Sequence, residues 1–228
     1  MKVKICGIRN ESDLSAALST DVDAIGFLVG QVHASPDFIL PSTAARLSRL
    51  LPPFVMPVMV THFTDPAEIF NLTRQTGIIN VQLHGGSKPE EVIALRDMLP
   101  AGSQLILAAH FQSERDFLNV MEFYRLVDGI LIDTYDENSG RVGGTGKTNN
   151  WDLAAQFIKQ CPIPVILAGG LNARNVQEAI RRVNPYGVDA NSGTKNSCGN
   201  TDAQCCREFV YQIRQHAWNH VFQAEINE

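Results

Sequence analysis

Apolar, β-branched runs alternate with helix-period segments eight times along this chain, and that alternation restricts the fold more than any single motif. The strand candidates are 3–8, 24–29, 56–61, 78–84, 104–110, 129–134, 164–169 and 186–191. Each is followed by a stretch that reads as a helix. Several helices carry start signals: Asn10 before Glu11-Ser12-Asp13, Asp65 before Pro66, Asn172 before Ala173-Arg174-Asn175-Val176, and Pro41 and Pro89 near two more beginnings. Eight such units in 228 residues predict a single closed (β/α)8 TIM barrel of parallel strands, a fold that typically uses about 250 residues. An open doubly wound sheet would show fewer strands and a G-x-G-x-x-G after the first, which Gly7 and its neighbours do not make. No linker or compositional break interrupts the pattern, so residues 1–228 read as one barrel domain.

Composition removes several classes of function. A net charge of -5, with no basic run or interleaved aromatic stripe, argues against a nucleic-acid partner. No apolar stretch approaches the roughly 18 residues of a membrane span. The chain opens directly on a strand-like run with no signal-peptide pattern. Five cysteines, Cys6, Cys161, Cys198, Cys205 and Cys206, are an odd count with two adjacent, unlike a secreted disulfide framework. A cytoplasmic protein with reduced thiols is expected. Cys198, Cys205 and Cys206 lack a C-x-x-C pair, and the nearest histidines are His216 and His220, so no metal is expected.

A closed barrel places its chemistry at the C-terminal ends of its strands, where Cys6, His84, Asp133, Gly169-Gly170 and Ser192-Gly193 fall. Strand alternation puts Lys4 and Cys6 on one face, and Leu131 and Asp133 on one face. With those faces inward, Cys6 and Asp133 overlook one cavity as candidate base and acid. A free thiol titrates near pKa ~8.5, so base work at neutral pH needs a nearby cation; Lys4, one pleat below, is a candidate. The competing readings are a packing role for Cys6 and a capping role for Asp133. Gly7 leaves the thiol uncovered, and the polar loop 134–148 follows Asp133 in place of an immediate helix.

Ala168-Gly169-Gly170-Leu171-Asn172 and Asp189-Ala190-Asn191-Ser192-Gly193 end the seventh and eighth strands, the usual barrel position for a phosphate held by backbone N–H groups. The ligand implied is a phosphorylated small molecule. Gly143-Gly144-Thr145-Gly146-Lys147-Thr148 lacks P-loop spacing, because position 141 is Arg141 and not glycine; a loop folding over the substrate fits better.

These segments, with Lys4-Ile5-Cys6-Gly7-Ile8, Val81-Gln82-Leu83-His84-Gly85 and Leu131-Ile132-Asp133-Thr134 in the same order, resemble the phosphoribosylanthranilate isomerase family of tryptophan biosynthesis over most of the chain. The resemblance implies a (β/α)8 barrel and an Amadori rearrangement of an N-linked phosphoribosyl amine to a 1-deoxyribulose 5-phosphate. It assigns Asp133 as the acid that protonates the ring oxygen and Cys6, as thiolate, as the base that takes the C2 proton. Gly144, Gly146, Gly169, Gly170, Ser192 and Gly193 would bind substrate or its phosphate, with Lys4, His84, Arg141 and Asp189 as further contacts. No cofactor is implied, since the substrate nitrogen delocalises the electrons. Three segments depart from the family pattern. An arginine in an S-x-R segment, which faces the anthranilate carboxylate in the family, is replaced in Ala34-Ser35-Pro36-Asp37-Phe38. The third strand ends in Val60-Thr61-His62-Phe63. The usual S-G-V-E reads Ser192-Gly193-Thr194-Lys195. Asp37 is therefore expected to disfavour an anionic aglycone unless Arg141, His62 or His33 takes the arginine's place. The alternatives are a paralogue acting on another phosphoribosyl amine and a non-catalytic phosphosugar-binding barrel.

Overall fold

The computed structural model describes residues 1–133, 135–136, 141–142 and 151–226, with side chains described to 133 and from 151 to 215. The barrel strands are β1 (Lys2–Ile5), β2 (Ala24–Leu28), β3 (Met56–Thr61), β4 (Val81–Leu83), β5 (Leu105–Ala109), β6 (Gly129–Ile132), β9 (Val165–Leu167) and β10 (Gly187–Ala190). Between β6 and β9 lie two short strands, β7 (Tyr135–Asp136) and β8 (Arg141–Val142), paired antiparallel within the segment read from the sequence as a polar loop. The helices are α1 (Glu11–Leu18), α2 (Pro41–Ser48), α3 (Pro66–Thr76), α4 (Pro89–Met98), α5 (Arg115–Met121), α6 (Trp151–Gln160), α7 (Val176–Val183) and α8 (Ala203–Ile226).

The eight barrel strands close in the order β1-β10-β9-β6-β5-β4-β3-β2, all parallel. Each begins or ends within a few residues of its predicted run. Apart from β3, which ends at Thr61 as predicted, the predicted C-terminal ends are too long, for a definite reason. Past the last paired residue the backbone keeps one ladder hydrogen bond: Cys6 N donates to Ala190 O at 2.9 Å, His84 N to Thr61 O at 2.8 Å and Asp133 N to Ala109 O at 3.0 Å. The side chains at the mouth thus hang from the last rung of a rigid sheet.

Four of the helix signals act as read. Asn10 and Asp65 cap α1 and α3 by accepting from Asp13 N and Glu68 N, both at 2.9 Å, and Pro66, Pro41 and Pro89 open α3, α2 and α4. The Asn172 signal is displaced. The residue preceding α7 is Asn175, and Asn172 is part of the loop before it, donating its amide to Asn175 Oδ1 at 2.9 Å.

Alternation divides the barrel into two environments. Val3, Ile5, Ile25, Phe27, Met59, Leu83, Leu107, Ile130, Ile132 and Leu167 join the helices in the main core. The lumen carries two smaller apolar groups, Cys6 with Ala24, Val58 and Val60, and Leu131 with Ile106, Ala108 and Ala168. The faces carrying Cys6 and Leu131 therefore point inward. So does Lys4, which the register sets opposite Asp189 on β10. Lys4 Nζ donates to Asp189 Oδ2 at 2.7 Å, with side chains only 5% and 7% exposed. Removing one member of a buried pair strands the other charge and costs about 3–5 kcal/mol, whereas replacing both by apolar groups can be near neutral. Lys4→Met is accordingly expected to lose about 3–5 kcal/mol of unfolding free energy, and Lys4→Met/Asp189→Leu to recover most of it, as read by urea denaturation. A loss in the double variant equal to the sum of the Lys4→Met and Asp189→Leu losses would show that the pair is not coupled.

Candidate active site

Cys6 stands one residue beyond β1 and is buried. Space for its sulfur comes from a residue on β2 that the sequence reading passed over. A Cβ on Gly26 would lie 2.6 Å from Cys6 Sγ and 3.1 Å from Lys4 Cε. A glycine inside a strand is the available signal for such a close approach. Gly7 follows with φ of +78°, and a Cβ there would lie 2.5 Å from Asn191 Oδ1, so this turn also requires glycine.

The electrostatics of Cys6 differ from the expectation. Burial pushes the thiol up to about 11; Lys4 pulls against that rise, and Asp189 reinforces it. Lys4 is already committed to Asp189. Burial pulls its ammonium down as well, but Asp189 and the Cys6 sulfur outweigh this and hold it above the ordinary lysine value. The resting site is therefore a thiol beside an ion pair, because desolvation of a small anion exceeds what a shared cation returns. Asp189 Oδ1 is buried with no hydrogen-bond partner among the described residues, which leaves an acceptor available in the lumen.

Asp133 stands one residue beyond β6 on another side of the same mouth, with β9 and β10 intervening between β6 and β1. It is 8% exposed. Its Oδ2 faces His84 Nε2 at 3.5 Å, and its carbonyl meets His110 Nδ1 at 3.2 Å. Gln82, also in the lumen, contacts His84 Nδ1 at 3.1 Å, which places the proton of a neutral imidazole on Nε2, toward Asp133. Burial, aided by His110, His62 and Lys4, drives His84 down to about 3, so this contact is a donor facing a carboxyl group and not an ion pair. His84 is also the third member of a row. The ring centroids of His33 and His62, His62 and His84, and His84 and His110 lie 5.9, 5.4 and 5.6 Å apart, one ring following each of β2, β3, β4 and β5.

Gly169 and Gly170 follow β9 with φ of +86° and +66°, a left-handed pair that side chains rarely adopt. Asn172 and Asn175 both donate side-chain amides to Gly170 O, at 3.2 and 2.9 Å. Gly193 pairs with Asn172 in an isolated parallel bridge, and a Cβ on Gly193 would lie 1.9 Å from Leu171 O. Gly170, Ser192 and Gly193 thus share a cavity of about 380 Å³ with Asn172, Arg174 and Lys195. Gly144 and Gly146 lie outside the described residues, as does the side chain of Arg141. Cys206 packs in the core, while Cys198 is exposed. Among the described residues, no group of three or more His, Cys, Asp or Glu side chains is arranged to hold a metal ion.

Asp37 corrects a sequence expectation. It does not present an unanswered charge to the mouth: it is 6% exposed, pairs with Lys195, accepts from Asn191 Nδ2 at 2.9 Å and lies 3.9 Å from Arg9 Nε. The two departures from the family pattern, Asp37 for arginine and Lys195 for glutamate, are in direct contact and reverse sign together. The anion is neutralised inside a clasp that joins the loop after β2 to the loop after β10.

A parallel (β/α)8 barrel with a thiol, a buried ammonium–carboxylate pair and a second carboxyl group at its mouth, beside a double-glycine loop after its seventh strand, has the build of an acid–base enzyme for a phosphorylated substrate. The family model for N-(5'-phosphoribosyl)anthranilate (PRA) isomerase matches residues 3–212, and the chain belongs to that family. It is 39% identical over 214 residues to N-(5'-phosphoribosyl)anthranilate isomerase 2 of Methanosarcina mazei, covering 94% of each chain. The phosphoribosyl anthranilate isomerase of Thermotoga maritima superposes with a TM-score of 0.81 at 32% identity, over 94% of this chain and 99% of that one. Another family structure, in complex with reduced 1-(O-carboxyphenylamino)-1-deoxyribulose 5-phosphate, matches with a TM-score of 0.79 at 29% identity, over the same shares.

Two expected outcomes follow from this geometry. Asp37→Arg sets a guanidinium against Lys195 and Arg9, and should lose about 3–5 kcal/mol of stability in urea denaturation, while Asp37→Arg/Lys195→Glu regains most of that loss. Additive effects would mean the clasp is not a coupled pair. In peptide-resolved iodoacetamide labelling, Cys198 should react first. Cys6 should react slowly, its rate rising about tenfold per pH unit through pH ~9, because only the thiolate is nucleophilic and its pKa lies higher. A Cys6 rate that levels off below that pH contradicts a thiol at about 11.

Proposed function

We propose that this chain is a cytoplasmic isomerase that converts N-(5'-phosphoribosyl)anthranilate to 1-(2-carboxyphenylamino)-1-deoxyribulose 5-phosphate, with Cys6 as base and Asp133 as acid. The observation that carries the reading is the position of both groups on the last rungs of β1 and β6, facing one lumen with Lys4 and Asp189 between β1 and β10. A binding barrel needs neither a buried thiol given room by Gly26 nor a carboxyl group facing a neutral histidine. Family membership and the ligand of the relative described above support the same substrate.

The steps follow from where the groups stand. Asp133 gives a proton to the furanose ring oxygen, and the C1–O bond breaks to leave an iminium. That cation, formed close to the thiol, adds to the pull of Lys4 and offsets part of the desolvation that holds Cys6 at about 11. Cys6 as thiolate takes the C2 proton, the C–H electron pair moves into the C1–C2 bond, and the iminium π pair returns to nitrogen. The enolamine then tautomerises to the ketone. The Cys6 thiol gives its own proton to solvent as the iminium forms, regains one from C2 and so ends as the resting thiol, and a solvent proton returns to Asp133 to reset the pair. The phosphate sits by Gly169, Gly170, Ser192 and Gly193. His84 keeps a neutral N–H toward Asp133 throughout. The chemistry calls for no metal or organic cofactor, because the substrate nitrogen holds the charge.

Purified wild-type protein should turn over the anthranilate substrate. Cys6→Ser and Asp133→Asn should each lower kcat by about 10²–10⁴-fold. Both should still bind the reduced product analogue, since neither change touches the phosphate loops. Steady-state kinetics with a binding titration checks this. Turnover at the wild-type rate in either variant removes that residue from the mechanism.

A further inference from the structure

We propose that His33 and His62 receive the carboxylate of the aglycone, and that His62 takes up a proton from solvent as the carboxylate binds. This rests on the isomerase reading above and names the group that determines its specificity. Four imidazoles in sequence line the mouth from β2 to β5. One end of the row belongs to the site already described: His84 faces Asp133, and His110 meets the Asp133 carbonyl. The other end has no such engagement. His33 is exposed and lines a cavity of about 410 Å³ with Gln31, Ser35, Pro36 and Phe38, large enough for an aromatic ring with its carboxylate. His62 is half-buried beside it, and its Nδ1 is buried without a partner among the described residues.

Of the cations on the described part of the mouth, Arg174 stands on the cavity beside Gly170 and Gly193, and the others are occupied. Lys4 is bound to Asp189, and Lys195 and Arg9 are bound to Asp37 and Asp13. An anionic ring substituent entering the cavity beside His33 therefore meets imidazole N–H donors. The groups facing His62 are His33 from the loop after β2 and His84 from the end of β4. Beyond His84 stand His110 just after β5, Asp133 just after β6 and Lys4 on β1. Burial first, then His33 and His110, hold His62 below the ordinary histidine value, so it is neutral in the empty site. A carboxylate in contact reverses this balance, because the opposite charge favours imidazolium and replaces the lost hydration. The sign follows: binding is strongest below the free His62 value, weakens as pH rises through the interval up to the value in the complex, and takes up protons in that interval.

The test is calorimetric titration with reduced 1-(O-carboxyphenylamino)-1-deoxyribulose 5-phosphate and with its phenylamino counterpart lacking the carboxylate. Each is run at neutral pH in two buffers of different ionisation enthalpy. Because both ligands carry the same phosphate, its own titration cancels in the comparison. The wild type should take up protons only with the carboxylated ligand. His62→Gln should abolish that uptake and weaken the carboxylated ligand about 10- to 100-fold, the value of one charge-assisted contact, while leaving the phenylamino ligand within about twofold. His33→Gln, at an exposed position that cannot endanger the fold, should selectively weaken the carboxylated ligand by a smaller factor. Equal weakening of both ligands, or unchanged proton uptake in His62→Gln, overturns the proposal while the isomerase reading stands. Failure of the wild type to bind either ligand overturns the isomerase reading, and this one with it.

Discussion

An ammonium enclosed in a barrel must be answered by an anion, and the Lys4–Asp189 pair is the contact on which the rest of the mouth depends. The parallel register of β1 and β10 sets the two residues opposite each other, on the seam where the first and last barrel strands meet. Closure of the barrel and formation of the pair are therefore the same event. The pair also places positive charge beside Cys6 without exposing it to solvent. Small residues around it, Gly26 and Ala24 on β2, leave the room it occupies. Glycine on β2, lysine on β1 and aspartate on β10 are one arrangement drawn from three distant parts of the chain.

That arrangement has a cost and a use. Burial enough to exclude water raises the thiol beyond what Lys4 alone corrects, so Cys6 rests protonated. The same dry lumen strengthens any charge formed on the substrate. On the assignment proposed above, a base that becomes competent only when a cation develops opposite it will not abstract protons from adventitious molecules. His84 fits the same logic. Held near 3, it stays a neutral donor over the working pH range and cannot short-circuit Asp133 in the proposed role of acid.

Much of this was readable in the sequence, and the failures share one cause. The eight strands announced themselves because each is an apolar run bounded by turn residues, and the ends of those runs carried Cys6, His84 and Asp133 to the mouth. Gly169-Gly170 after β9 and Ser192-Gly193 after β10 were legible for the same reason. The strands β7 and β8 were not, since two residues have no period to detect. Asn175 was passed over for Asn172 because both have capping chemistry and only backbone geometry decides between them. Asp37 was misread as an unanswered charge because its partner lies 158 residues away. Single-position reasoning registered Asp37 and Lys195 as two losses, whereas contact makes them one feature. The histidine row was hidden in the same way: four residues spaced along four strand–helix units become neighbours only when the barrel aligns its strand ends.

The Asp37–Lys195 clasp also bears on how such a site changes over generations. A lineage that inverts this contact one codon at a time passes through two like charges packed together with almost no water, a valley that selection against unfolded protein would guard. The two positions are thus locked in reciprocal epistasis, and crossing between the two states requires either a neutral intermediate at one position or a stabilised background. Once across, the lineage has released position 37 from any duty toward the ligand, and other side chains near the pocket, on the same loop and beyond it, become free to assume that duty by a different chemistry.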